Sequence, residues 1–553
     1  MDTGSLHMVR EIVSRRGTGG VIRRSLSAVG LATALTASVA VAAPAAPADS
    51  TAITLTPRGV PDTGAITGEN LGFSVESADL AHGFLTKPRM SQWLKTLGRH
   101  GVLRLGGYSM DLVWPAFGAY RDAPTPPEAI GGRVDRSDLI RLKALLRDSG
   151  WKATLGVPLK KIIDPSKIKS PTKDPSPPVT LDQAVAEVKA AHEILGDDLL
   201  AVEIGNEYDN VTTLTPAEYY ATMKQYHAAI EQAVPHANIK VTGPSANTAK
   251  TNTQLDGFVA AVQADTGSDP RQMIAEFTNH LYPQSHCGSS NATIAGLLSP
   301  DTYVTDRNKL TGIMDITGRL NSGIPAVINE SNSASCSGQP GVSNAYATSL
   351  WSLDYLLQTA QSRVSQVQFH TNTAAICGDF KARDSKDYPI SYRYYGAFCA
   401  ADQHALDSNR LSAAPLYYGL WAFHQVPEGR FLDVGLPDTA LSRLRAYAVE
   451  GRNGALTMVL INVQDPAAST GDDDVTVNLP SAYRSGDAVT LRTSATDGLA
   501  SVDASAISLG DRTLSDRGVP SGRPGTTPVR VSGGRSTITV APGTAQIITF
   551  SAR

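Results

Sequence analysis

The chain lacks most of the features that mark a nucleic-acid or membrane protein. Its 553 residues carry a formal net charge of -3, with no long run of Lys and Arg and no acidic tail. The densest basic stretch, Lys160 to Lys173, is broken by Pro and Asp and reads as a solvated loop. Neither a nucleic-acid partner nor a grip on a highly anionic polymer is expected. Beyond the N-terminal region no window is long and apolar enough to span a bilayer, so stable membrane insertion is not expected either. Cysteine is scarce: Cys287, Cys336, Cys377 and Cys399 are all there is, and no two form a Cys-x-x-Cys motif. His82, His280, His370 and His424 are scattered and make no metal-ligand signature. "LRLGGY" lacks the Gly-x-Gly-x-x-Gly spacing of a dinucleotide turn. No metal and no cofactor is expected. There are no repeats and no long low-complexity linker.

What the chain does have begins with a targeting pattern over residues 1–48. Arg15, Arg16, Arg23 and Arg24 precede an Ala-rich apolar stretch from Leu26 to Ala43, and Ala46-Pro47-Ala48 before Asp49 has the form of a cleavage site. Arg23-Arg24 ahead of "SLSAVGL" can also be read as a twin-arginine signal. The alternative, an uncleaved anchor, fits poorly with so short a stretch rich in Thr, Ser and Gly. A secreted protein is expected, and an even number of cysteines agrees with that. Four cysteines allow three pairings. Cys287 with Cys336 would tie loops after two neighbouring strands, and Cys377 with Cys399 would close a local loop; this pairing is favoured over the others and over four free thiols.

From about residue 65 to 427, short apolar runs alternate with helical patterns. The runs are "LGFSVE", "VLRLGG", "ATLGVPL", "LLAVEIGNE", "IKVTGPS", "IAEFTNHLYP", "IPAVINE" and "VSQVQFHTN". Their length and branched-aliphatic content suit buried parallel strands. Between them lie stretches such as 181–196 and 216–234, with apolar residues at three- and four-residue steps and Thr215-Pro216 as helix-entry chemistry. Eight strands alternating with helices predict an α/β fold, a (β/α)8 TIM barrel. Residues 428–553 change texture. Runs such as "ALTMVLINV" and "STITVAPGTAQIITFSA" alternate or are β-branched between Gly, Pro, Asp and Ser, which predicts an antiparallel β-sandwich. The early run 50–57 is a candidate extra strand for that sandwich.

Two of the apolar runs end on a glutamate, Glu207 at the fourth strand and Glu330 at the seventh. The C-terminal tips of barrel strands are where barrel enzymes carry their chemistry, and these two tips lie across the barrel mouth. Two carboxylates facing one pocket are what hydrolysis of a glycosidic bond requires: ~5–5.5 Å apart they serve as acid/base and nucleophile of a retaining enzyme. The acid must be protonated and the nucleophile ionised, so their environments should differ. Asn206 beside Glu207 offers an amide for a sugar hydroxyl. Arg104 in "LRLGG" and Tyr282 in "NHLYP" are candidate donors to Glu330, each with a structural reading alongside. His370 and Asn372 belong to the catalytic end of the eighth strand and are candidates for substrate contact. Asn210-Val211-Thr212 and Asn291-Ala292-Thr293 are glycosylation sequons in form only.

The motifs "AVEIGNE", "LRLGG", "NHLYP" and "INESNS", with "NESNSASCSGQPGVSNAYATSLWSLDYLL" leading into a long amphipathic helix, resemble the heparanase and bacterial β-glucuronidase family, glycoside hydrolase family 79. The resemblance covers about residues 65 to 550. It implies a (β/α)8 barrel, a β-sandwich built largely from the C-terminal end, and retaining chemistry without a cofactor. It makes Glu207 the acid/base, Glu330 the nucleophile and Asn206 a ligand of the sugar being cleaved. Glu76 falls on an acidic sugar-binding residue of the family, and Gln366 on a glutamine lining the same subsite. The family reads the uronate carboxylate partly through backbone N–H groups in a turn after the nucleophile, and the matching stretch here is Ser335 to Gly338. No dense basic rim suits heparan sulphate. The resemblance therefore implies a secreted exo-β-glucuronidase acting on a carbohydrate or glycoside. The alternatives are a related enzyme for a neutral sugar, and an inactive carbohydrate-binding protein on the same scaffold.

Overall fold

The computed structural model describes residues 53–171, 174–247, 252–373, 375–378, 394–468 and 471–552. The targeting segment 1–48 lies outside them. Eight parallel strands close into a barrel: β1 Leu71–Glu76, β2 Val102–Gly106, β3 Lys152–Val157, β4 Leu199–Ile204, β5 Val241–Ala246, β6 Ile274–His280, β7 Ala326–Ser331 and β8 Gln366–His370. Neighbours in sequence are neighbours in the sheet, and β8 closes on β1 with Val367 opposite Leu71. The strands are buried on both faces, as their apolar runs require, because helices wrap the outside. Helix Pro216–Ala233 begins with a reciprocal cap in which the Thr215 hydroxyl accepts from Glu218 N–H and the Glu218 carboxylate accepts from Thr215 N–H.

A β-sandwich follows. Its larger sheet orders Ala65–Ile66, β9 Gly429–Leu432, β10 Leu444–Gly451, β11 Leu456–Asn462, β17 Ala545–Ala552, β13 Tyr483–Thr493 and β14 Ile507–Leu509, with β15 Thr527–Arg530 also on β13. The smaller sheet holds Ile53–Leu55, β12 Asp473–Asn478 and β16 Arg535–Val540. Two details differ from the sequence reading. Ala65–Ile66 pairs antiparallel with β9 and so belongs to the sandwich, not the barrel. Ile53–Leu55 runs parallel to β12, so the sandwich is not wholly antiparallel.

The larger sheet is apolar on both faces. Along β10, Ala446 and Ala448 join the core between the two sheets, whereas Tyr447 and Val449 join the barrel's core. This is the period-two alternation of a strand with a core on each side. Helix Ala347–Gln361 lies beneath that sheet and is buried from Ala347 through Ala360. Its sequence reads as amphipathic, but its small and hydroxyl residues let a second helix, Pro415–Phe423, approach closely: a Cβ on Gly419 would lie 2.2 Å from the Ser349 carbonyl. Buried Arg445 crosses the junction, donating to the Leu298 carbonyl at 2.9 Å, and Tyr447 donates to Asp354 at 2.6 Å.

Candidate active site

Glu207 does not sit on β4 itself. The strand ends at Ile204, and the chain turns through Gly205 and Asn206 before Glu207, whose φ of 45° and ψ of 56° are left-handed. A non-glycine residue there costs roughly 1–2 kcal/mol, and the surroundings hold it: Glu207 N–H donates to the Ser245 carbonyl on β5 at 3.1 Å. Its Oε2 accepts from Asn247 at 2.8 Å and Asn210 at 3.2 Å, and its Oε1 lies 2.9 Å from His280 Nδ1. Glu330 lies within β7, where the pairing register shifts against both β6 and β8. Such irregularities re-aim side chains near barrel rims. Glu330 Oε2 accepts from Arg104 at 2.7 Å, and Oε1 accepts from the Tyr282 hydroxyl at 2.9 Å.

The two carboxylates meet. One oxygen from each, with a ring nitrogen of His280, all lie within 4.8 Å of one another. Three such groups could in principle hold a metal ion. Here His280 already lies against Glu207, and the fixed positive charge of Arg104 beside Glu330 opposes a second cation. Both glutamates open onto a cleft of about 790 Å³ shared with Asn206, Tyr282, Asn247 and Tyr395. Burial pushes the Glu330 carboxyl up, but His280, His370 and Arg104 outweigh it and hold Glu330 well below the usual carboxylate range. His370 moves the other way: burial lowers it, and Glu330 and Glu76 more than offset that, leaving it raised.

Arg104 organises this end of the barrel although it is wholly buried and does not touch the cleft. Its guanidinium grips Glu203 through two hydrogen bonds of 2.6 and 2.8 Å, and also donates to Ser74, Asn206 and Glu330. Because Asn206 Oδ1 accepts from Arg104 at 2.6 Å, the amide's N–H₂ end is left to face the cleft.

Of the expected sugar ligands, Gln366 lies at the wrong end of the barrel, and Glu76, at the tip of β1 as expected, is sealed from the cleft. Gln366 is the first residue of β8, at the N-terminal end of the barrel, and donates to the Glu69 carbonyl at 2.6 Å. Residues at opposite ends of a strand cannot share a subsite. Glu76 is fully buried: Gly107, at φ 68°, brings its backbone so near that a Cβ would lie 2.5 Å from Glu76 Oε1, and Ser109 N–H donates to Oε2 at 2.7 Å. His370 is buried with it, 3.4 Å from Glu76 and 3.7 Å from Glu330, hydrogen-bonded to Ser74 at 2.9 Å, and does not line the cleft. Asn372 likewise lies outside the catalytic cleft.

Sequence reasoning missed Glu203, Asn247, Tyr395 and Lys309, and it read His280 as a scattered histidine although the ring lies 2.9 Å from Glu207 and 3.7 Å from Glu330. Glu203 alone carried a signal, an acid in an otherwise apolar strand. Disulfides join Cys287 to Cys336 and Cys377 to Cys399, and the first borders the cleft where the loops after β6 and β7 meet. Among the described residues no helix is long and apolar enough to cross a membrane.

No family model matches the chain, and no curated protein matches it. Solved structures do. A 4-O-α-L-rhamnosyl-β-D-glucuronidase from Fusarium oxysporum 12S matches with a TM-score of 0.66 at 18% identity, covering 90% of this chain and 100% of that one. The GH51 arabinofuranosidase from Xanthomonas axonopodis pv. citri matches at 0.59 and 12%, covering 90% and 99%. CelM2, a bifunctional glucanase-xylanase from a metagenome library, matches at 0.53 and 14%, covering 91% and 99%. At these identities the likeness establishes the architecture, a (β/α)8 barrel with a β-sandwich, and these neighbours that carry it are glycoside hydrolases.

Proposed function

We propose that the protein is a secreted β-glycosidase acting with retention, and that the sugar it releases is β-glucuronic acid. The observation that carries the reading is the approach of Glu207 and Glu330, oxygens within 4.8 Å, on one open cleft. So close an approach favours the ~5–5.5 Å separation of a retaining pair over the ~6.5–9.5 Å that admits an inverting enzyme's water.

Glu330, held ionised by Arg104 and Tyr282, attacks the anomeric carbon. The bond to the departing oxygen breaks as Glu207 gives that oxygen its proton. A water then gives a proton to Glu207, attacks the same carbon and displaces Glu330, so the sugar leaves with its original configuration. Asn206 donates to a sugar hydroxyl beside the bond. His280 and Asn247 orient Glu207 through both phases.

Two features support a uronate. Lys309 is the single cationic side chain among the described residues lining the cleft. Cys336, Ser337 and Gly338 have successive φ of 57°, 70° and 74°, a turn of the kind that gathers backbone N–H groups toward an anion, and Cys336 borders the cleft. The disulfides and the targeting pattern support export. Aryl β-glucuronide, β-glucoside, β-galactoside and β-xyloside assayed side by side test the substrate, with NMR of the first-formed anomer testing the stereochemistry. Turnover of neutral sugars alone sinks the uronate, and an inverted product sinks the double displacement.

A further inference from the structure

We propose that Tyr108 is a stacking platform for a second sugar ring, so that the cleft takes a substrate of at least two rings. This rests on the glycosidase reading above. Among the described residues the well-exposed large apolar side chains are Val60, Ile130, Ile140 and Tyr108, and of these Tyr108 alone lines the catalytic cleft, with 46% of its surface exposed. Single exposed apolar residues elsewhere on a surface need no explanation, but one on the wall of a ligand groove has a use.

The ring is exposed, yet its base is rigid. Tyr108 opens the turn Tyr108–Asp111 after β2. Ser109 N–H donates to buried Glu76 at 2.7 Å. Asp111 accepts from the Leu159 and Lys160 N–H groups at 2.7 and 2.8 Å, which ties this turn to the loop after β3. Lys160 Nζ stands over the ring, 5.6 Å from its centre, and is placed in turn by Asp174 at 3.5 Å. One face of the phenol is thus braced by an ammonium, and the ring keeps open surface for a ligand. An amphipathic aromatic held in this way offers large contact area at little conformational cost. The cleft's volume of about 790 Å³ lies in the upper part of the roughly 300–1,000 Å³ found for sites that bury drug-sized ligands, more than one sugar ring fills.

The test compares three substrates: the β-glycosyl fluoride of the preferred sugar, the same fluoride carrying a further sugar on its non-reducing side, and the preferred sugar β-linked to a second sugar as leaving group. Fluoride is used because an aryl group would itself stack. Tyr108→Ala should lower kcat/KM on one extended substrate roughly ten-fold more than on the simple fluoride. Which one falls tells the side of the bond on which the platform lies. Tyr108→Phe and Tyr108→Trp should restore most of the loss, which a folding defect would not. Equal losses on all three substrates, or no extra loss on either extended one, overturn the platform. A wild-type protein inactive on all three sinks the glycosidase reading instead.

Discussion

Arg104 Nη1 lies 2.7 Å from Glu330 Oε2 while its Nη2 lies 2.6 Å from Asn206 Oδ1. One buried guanidinium therefore sets both the proposed nucleophile and the amide proposed to face the sugar. Its other contacts, to Glu203 and Ser74, fix it from β4 and β1. Arg104→Lys keeps the charge but not the planar fork. It should lower kcat by about a hundred-fold, since an ångström of misplacement costs that much. Arg104→Met should also destabilise the fold by roughly 3–5 kcal/mol, because it leaves Glu203 buried and unpaired. Steady-state kinetics with urea unfolding reads both, and an unchanged kcat in the Lys variant removes Arg104 from the site's organisation.

Glu330→Ala should abolish turnover on every substrate. Glu207→Ala should spare substrates with activated phenolic leaving groups, which need no proton to depart, while losing at least about a hundred-fold on alkyl or sugar leaving groups. Equal losses on both kinds for Glu207→Ala would show that the two roles are wrongly assigned.

The buried acids set opposite pH trends. Glu330 is held below its unfolded value, so its contribution to stability is present above about pH 4 and is lost only as pH falls through its lowered folded value. Glu187, on helix Leu181–Leu195, is the reverse case. Burial first, and Asp138 second, push its carboxyl up to about 8. Between about pH 4 and 8 the folded protein keeps a proton that the unfolded chain releases, so stability falls as pH rises through that window. Glu187→Gln should flatten the decline and raise stability at pH 8 by on the order of a few kcal/mol. Urea unfolding at pH 5 and pH 8 checks it, and an unaltered pH slope would contradict it.

Gln366 donates to the Glu69 carbonyl and accepts from Gln368, at the barrel end away from the cleft. Gln366→Ala should leave KM for the sugar unchanged. It should lower stability by about 1–3 kcal/mol, the cost of stranding a buried partner. Thermal melts beside KM measurements separate the two effects, and a raised KM would return Gln366 to the binding site.

Much of the barrel was legible because its cause is local. A run such as "IPAVI" ahead of Asn329 and Glu330 is apolar since a parallel strand is covered on both faces, and eight such runs between helical patterns admit few topologies. Glu207 and Glu330 stood out for the same reason, as charges at the ends of apolar runs. The sequence alone could also narrow the cysteine pairing, since loops after neighbouring strands lie close. It could not tell which polar residues near a strand end reach the cleft. Glu76 and Asn206 both follow or close apolar strands. One is sealed behind the Gly107–Ser109 turn and the other looks outward, because of backbone turns of positive φ and a shared arginine from another strand. Gln366 was misjudged because its role came from the resemblance although it opens its own strand, and Glu203 was missed because the partners that a buried side chain meets depend on strand pairing with neighbours distant in sequence. Strand existence follows from burial along the chain, whereas the direction and company of a side chain are decided between strands, and only the closed barrel brings those together.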